Sequence, residues 1–144
     1  MAASPLHTLD SLTVGDEIAT AAFTLDRGNL VRYAGASGDF NAIHYRDDIA
    51  AEVGLPGVLA HGMLTMGLSV QPVVDWIGDP GRVRDYQVKF TRPVVVDPKT
   101  GASVAVSAKV GAIDVDAQTA RIDLTVTYEE ATVLGKAQVQ LTFA

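Results

Sequence analysis

Apolar positions fall into two textures along this chain. Up to residue 77 they recur mostly at helical spacing; from residue 83 they form runs rich in Val, Thr, Ile and Phe, broken by turn residues. Glu17 to Leu25 reads as a first strand with Ile18 and Phe23 pointing inward. Asp26 to Ala36 predicts a helix: Asp26 suits its N-cap, and Leu30, Val31 and Ala34 share a face. Gly35 and Gly38 weaken its end. Asp47 to Val53 predicts a short second helix, with acidic residues where the helix dipole favours them. Gly54-Leu55-Pro56-Gly57 reads as a turn. Gly62 to Ile77 is apolar on nearly all sides, the mark of a buried helix. Pro72 should kink or divide it.

Four strands should follow, over Val83–Val96, Ala102–Ile113, Gln118–Tyr128 and Val133–Phe143. The turns between the last three are Asp114-Val115-Asp116-Ala117 and Glu129-Glu130-Ala131-Thr132, and Asp97 to Gly101 precedes them. Ile122, Leu124, Val126 and Tyr128 alternate with Asp123, Thr125 and Thr127, as in a half-buried strand. The order predicts an α+β fold: a curved antiparallel sheet wrapped around one long central helix. Residues 1–144 read as one domain with no repeat or internal linker, and about 1–11, including His7, as a flexible N-terminus.

Charge and composition narrow the classes. The net charge of −6 argues against a general nucleic-acid binder, which needs a basic footprint. No cysteine is present, so disulfides and thiolate chemistry are excluded. No secretory signal is evident at the N-terminus. The longest apolar stretch, Leu59 to Ile77, is interrupted by His61, Gln71, Pro72 and Asp75, too polar for a membrane span. The expectation is a cytoplasmic protein.

Candidate chemistry concentrates in Ser37-Gly38-Asp39-Phe40-Asn41-Ala42-Ile43-His44. A carboxylate and an imidazole lie five residues apart, and Gly38 and Asn41 suit a turn that can bring them together. Such a pair moves protons near neutral pH. Ala60-His61-Gly62-Met63 follows and opens the long apolar segment. His61 reads as structural, satisfying backbone groups at the helix start. Metal binding looks poor, with no His-x-x-x-His pair and no cluster of Cys or Glu.

These segments resemble the MaoC-like (R)-specific enoyl hydratases and (3R)-hydroxyacyl thioester dehydratases. The hydratase signature of that family runs from an aromatic through small residues to G-D-x-N-P-x-H, here Tyr33 and Ser37 to His44. Ala60 to Met63 matches its A-H-G-M, and Phe90-Thr91-Arg92-Pro93-Val94 its F-x-x-P-V. The likeness runs from about Leu12 to the C-terminus, with Ala42 where the family usually has Pro. Ala60 to Gly67 and Trp76 to Gly81 are most similar to the catalytic B subunit of the heterodimeric dehydratases of mycolic-acid synthesis.

The resemblance implies a hot-dog fold and reversible hydration of trans-2-enoyl thioesters, or dehydration of (3R)-hydroxyacyl thioesters. It implies Asp39 and His44 as the acid–base pair and the Gly62 amide as oxyanion donor. No cofactor is expected; coenzyme A or phosphopantetheine enters only as part of the substrate. Expected partners are an acyl-CoA or acyl-carrier-protein thioester and a second hot-dog subunit, giving a homodimer or heterodimer. Gly38, Asn41, Met63, Arg82 and Arg84 are the candidate substrate contacts, the arginines belonging to a basic cluster with Lys89 and Arg92. That cluster fits thioester phosphates or an acidic carrier protein, or equally a solvated strand edge. Met63, Met66, Leu68, Val73, Trp76 and Ile77 either line an acyl tunnel or form core. Alternative functions are an acyl thioesterase and a non-catalytic acyl-binding subunit.

Overall fold

A computed structural model of the chain describes residues 7–144. Strand β1 (Glu17–Leu25) is followed by helices α1 (Arg27–Ser37), α2 (Asp47–Glu52) and α3 (Gly62–Ile77). Strands β2 (Val83–Phe90), β3 (Ala102–Asp114), β4 (Thr119–Tyr128) and β5 (Ala131–Thr142) complete the order. All five strands form one antiparallel sheet in the order β1-β3-β4-β5-β2. This is the expected α+β arrangement, and the sheet folds around α3.

Side-chain size decides how close sheet and helix come. The inward positions of β3 are Ala102, Val104, Val106, Ala108 and Val110, all buried and all small. Opposite them on β4 stand Ile122, Leu124 and Val126, in the register Val110↔Ile122, Ala108↔Leu124 and Val106↔Val126. The small strand lets α3 sit low while its neighbour fills the sides. On β1, Ile18 and Phe23 differ in parity yet both pack on the core. A register shift between Glu17 and Ala19 reconciles them, because one extra residue turns the alternation over.

Four expectations change. Pro72 does not divide α3, which is continuous from Gly62 to Ile77. Its buried stripe runs past the proline on both sides, so sheet packing offsets the lost hydrogen bond, worth about 3 kcal/mol in an unsupported helix. Nor is α3 buried all round. Only Thr65, Ser69, Val73 and Ile77 are buried, one residue per turn, and Met63 is 58% exposed. The sheet covers one side of the helix, and that side carries its hydroxyls. Ser69 Oγ donates to Thr65 O at 2.7 Å, which satisfies it without a distant partner.

Strand β2 stops at Phe90 instead of running to Val96. Pro93 has no N–H for a ladder, and the chain after it turns toward residues 58–60. Ala60 N donates to Val94 O and Val96 N to Val58 O. The N-terminal expectation also divides. Residues 1–6 lie outside the described residues, but His7 stacks on Trp76 at 4.2 Å and Leu9 is buried, so 7–11 is packed.

Candidate active site

Three short segments converge at the N-terminal end of α3. The first is the exit from α1. Asp26 caps the start of that helix in a reciprocal box with Asn29, at 2.7 and 2.8 Å. Gly38 ends it in the left-handed region at φ 78°, where a side chain would be strained. The next turn is knitted by its own polar side chains. Asp39 N donates to Ser37 Oγ at 3.1 Å, Asn41 N to Asp39 Oδ1 at 3.2 Å, and Ile43 N to Asn41 Oδ1 at 3.3 Å. Asn41 thereby caps the 3-10 turn Ala42–His44.

These local bonds aim the two titratable groups. One oxygen of Asp39 is tied to backbone, and the other, Oδ2, lies 3.9 Å from His44 Nε2. That gap is too long for a direct hydrogen bond, but one oxygen placed between the groups reaches both. His44 is buried, whereas the Asp39 side chain is half exposed. His44 Nδ1 is 2.7 Å from Leu59 O. A carbonyl can only accept, so Nδ1 carries the hydrogen and the neutral ring keeps its Nε2 lone pair toward Asp39. Leu59 N donates in return to Ile43 O, locking the turn to the segment before α3. Arg27 clamps the same region from below. It donates to both oxygens of Asp47 at 3.0 and 3.1 Å and to Val96 O at 2.5 Å. Its guanidinium holds the Asp47 carboxyl below the usual range.

Beside the pair lies a cavity of about 360 Å³, lined by His44, Gly62, Thr65, Phe90, Arg92 and Leu134 among others. Gly62 is the first residue of α3, where N–H groups lack intrahelical acceptors and the dipole is positive. No side chain caps this helix end. A Cβ at position 62 would sit 2.9 Å from the Phe90 ring, so a larger residue there would require that ring to shift.

His61 occupies the N-cap position yet makes no capping bond, contrary to the expectation that it serves the helix start. Its Nε2 donates instead to Asp39 O at 3.1 Å. Its ring stacks on His44 at 3.8 Å, and Tyr33 meets it edge-on at 4.7 Å. Burial first, then the neighbouring His44, pushes the His61 pKa down, opposed by the bond to Asp39. A histidine lowered in the fold binds its proton more weakly than in the unfolded chain. Its contribution to stability is therefore complete above the ordinary value of 6.5 and is lost as pH falls below it. Thermal melts should show an acid slope below that pH, and His61→Gln should remove this component.

Asp39, His44 and His61 offer potential ligand atoms within 4.8 Å of one another. The geometry suits a metal poorly. The two rings are stacked 3.8 Å apart with planes only 22° apart, so an ion shared between them would sit out of the plane of each ring's lone pair.

His44 and Gly62 thus line one cavity, and Asp39 reaches its edge through His44 without lining it, while none of the five expected substrate contacts lines it. Gly38 and Asn41 shape the turn, and neither lines the cavity. Met63 points to solvent beside it. Arg82 and Arg84 follow the far end of α3, about 24 Å away by the 1.5 Å rise per residue. Arg82 is engaged there, donating to His7 O at 2.9 Å and lying over the Phe143 ring. The sequence signal was a cluster of basic residues, and β2 spreads that cluster along its length; only Arg92 reaches the cavity. Thr65 was missed. Its signal was a hydroxyl four residues from Ser69 inside an otherwise apolar run.

A single antiparallel sheet folded around one long helix, with its polar residues gathered at that helix's N-terminus, is a hot-dog fold. Residues 11–133 match the MaoC like domain family, and the chain belongs to it. A stretch of 106 residues is 29% identical to the (R)-specific enoyl-CoA hydratase of Rhodospirillum rubrum, covering 73% of each chain. Another of 74 residues is 36% identical to 3-hydroxyacyl-thioester dehydratase X of Mycobacterium tuberculosis, covering 51% of this chain and 25% of that protein. Among solved structures, a MaoC-like dehydratase superposes with a TM-score of 0.91 at 38% identity, over 95% of this chain and 42% of the other. The chain therefore spans a quarter of dehydratase X and under half of the superposed dehydratase.

Proposed function

We propose that this chain is a hydro-lyase that adds water to trans-2-enoyl thioesters, or removes it from (3R)-hydroxyacyl thioesters. The observation that carries the reading is the 3.9 Å separation of Asp39 Oδ2 and His44 Nε2 beside a cavity that also holds the open Gly62 amide.

The reaction breaks C2–H and C3–O bonds. One group takes the C2 proton, another protonates the departing hydroxyl, and negative charge grows on the thioester oxygen. The proton taken from C2 is matched by the one delivered to the departing hydroxyl, so the pair leaves each turnover in the protonation state in which it entered, without an outside acid. The substrate hydroxyl, or the water it becomes, sits between Oδ2 and Nε2. Both transfers then occur on one face, which is syn elimination. The Gly62 N–H, reinforced by the α3 dipole, stabilises the enolate oxygen; such a donor is worth about 2.7–4 kcal/mol in the transition state. No step needs a metal or cofactor.

The phosphate contact we propose for the coenzyme A or phosphopantetheine carrier is Arg92, which lines the cavity, rather than Arg82 or Arg84, which do not. Arg92→Ala should raise KM for a CoA thioester by about fivefold or more, an effect that fades with salt as screening grows. Arg82→Ala with Arg84→Ala should leave KM unchanged. A KM that follows Arg82 and Arg84 would contradict the assignment.

We further propose that the working unit pairs two hot-dog subunits, alike or related. The half-open outer face of α3 supports this, as does a superposed dehydratase more than twice as long as this chain. Fatty-acid metabolism in the cytoplasm is the proposed setting. Mycolic-acid synthesis as the pathway rests on the motif resemblance of Ala60 to Gly67 and Trp76 to Gly81.

Turnover assays separate the readings. Loss of the enoyl absorbance with the thioester intact supports hydration. Release of free thiol means a thioesterase, and binding without turnover means a non-catalytic subunit.

A further inference from the structure

We propose that His61 is the positioning residue of the acid–base pair, a permanently neutral imidazole that clamps the Asp39 main chain through its Nε2–H. The inference rests on the proposed roles of Asp39 and His44 and assigns a task to a residue those roles leave unused.

His61 is 1% exposed, and its side chain spends no hydrogen bond on the helix it precedes. A buried polar side chain is retained where its bond does something. Here the bond crosses from α3 to the loop after α1 and ends on Asp39 O, 22 residues away in sequence. The carbonyl only accepts, so Nε2 holds the hydrogen. Nδ1 is then a bare lone pair, buried with no partner among the described residues. Protonating it would place a second buried N–H where no acceptor stands among the described residues, and a positive ring against the stacked His44.

The titratable groups around His61 are few. Asp39 faces it from the loop, His44 from the 3-10 turn, and Tyr33 from α1. One ring therefore indexes both members of the pair: the Asp39 backbone by a hydrogen bond, the His44 face by stacking. No other hydrogen bond among the described residues ties the Asp39 carbonyl. Its release leaves Asp39 held only by the Ser37 and Asn41 bonds within its own turn, and the turn can then shift from the 3.9 Å spacing on which a shared oxygen depends.

Two measurements test this. Long-range nitrogen–proton NMR on the whole protein, from about pH 5 to 8, should show His61 as one neutral Nε2–H tautomer throughout. Ordinary histidine titration in that range overturns the proposal. Kinetically, His61→Phe keeps the stacked ring but not the donor, and should lower kcat at least about tenfold with KM changed by less than about twofold. His61→Gln restores a donor near the Nε2 position and should recover kcat to within about threefold of wild type. Wild-type kcat in His61→Phe, or a loss in KM alone, overturns it. If His61→Phe does not fold, the NMR titration and the Gln variant still decide. Asp39→Asn in the same assay separates the two ideas: full turnover there defeats the acid–base pair, whereas loss there with none in His61→Phe defeats only the clamp.

Discussion

Asp39→Asn and His44→Ala should each lower kcat for enoyl-thioester hydration by at least about 10²-fold while the fold persists. The expectation comes from the division of labour between the two oxygens of Asp39. Oδ1 is used to hold Asn41 N, and asparagine keeps an oxygen there. Oδ2 faces His44 Nε2, and asparagine replaces a proton carrier with an amide that does not titrate near neutrality. His44→Ala removes the other carrier, and the Leu59 N to Ile43 O bond still holds the turn in place. Circular dichroism and melting temperature would check the fold, and single-turnover kinetics the chemical step. Near-normal kcat in a folded variant would defeat the assignment of that residue.

Gly62→Pro should lower kcat by about 10²–10³-fold relative to Gly62→Ala. Both variants bring a Cβ against Phe90, but that ring is 52% exposed and can swing aside. Only proline deletes the N–H. Position 62 is the first of α3, where helices accept proline because the hydrogen is not needed internally. The preceding His61 has φ −60° and ψ 128°, the extended conformation that a residue before proline prefers. The pair of variants therefore isolates the amide hydrogen. Alanine alone should cost about tenfold or less by crowding, with stability nearly unchanged. Equal kcat in the two variants would show that the Gly62 amide does not carry the oxyanion.

Local rules made most of the elements legible. Asp26 and Gly38 bracket α1 because capping and left-handed termination depend on a few neighbouring residues. The bounds of α3 coincide with the apolar run, and the alternation of β4 matches its buried Ile122, Leu124 and Val126. The approach of Asp39 to His44 was legible for the same reason, since the two share one turn. What local pattern cannot carry is the side an element presents to distant chain. The apolar surround of α3 concealed that only the stripe through Thr65 and Ser69 is fully buried. The basic cluster concealed that β2 would send Arg82 and Arg92 to opposite ends of the helix. His61 sits beside Gly62 in sequence, yet its partner is Asp39 O across the fold, which no spacing rule reports.

Hydration of trans-2-enoyl-CoA substrates of increasing chain length, with chiral analysis of the product, tests the central claim most directly. Formation of (3R)-hydroxyacyl-CoA with the thioester intact is the expected result. A (3S) product, release of free thiol, or no turnover on either coenzyme A or carrier-protein thioesters in the presence of a related hot-dog subunit would contradict it.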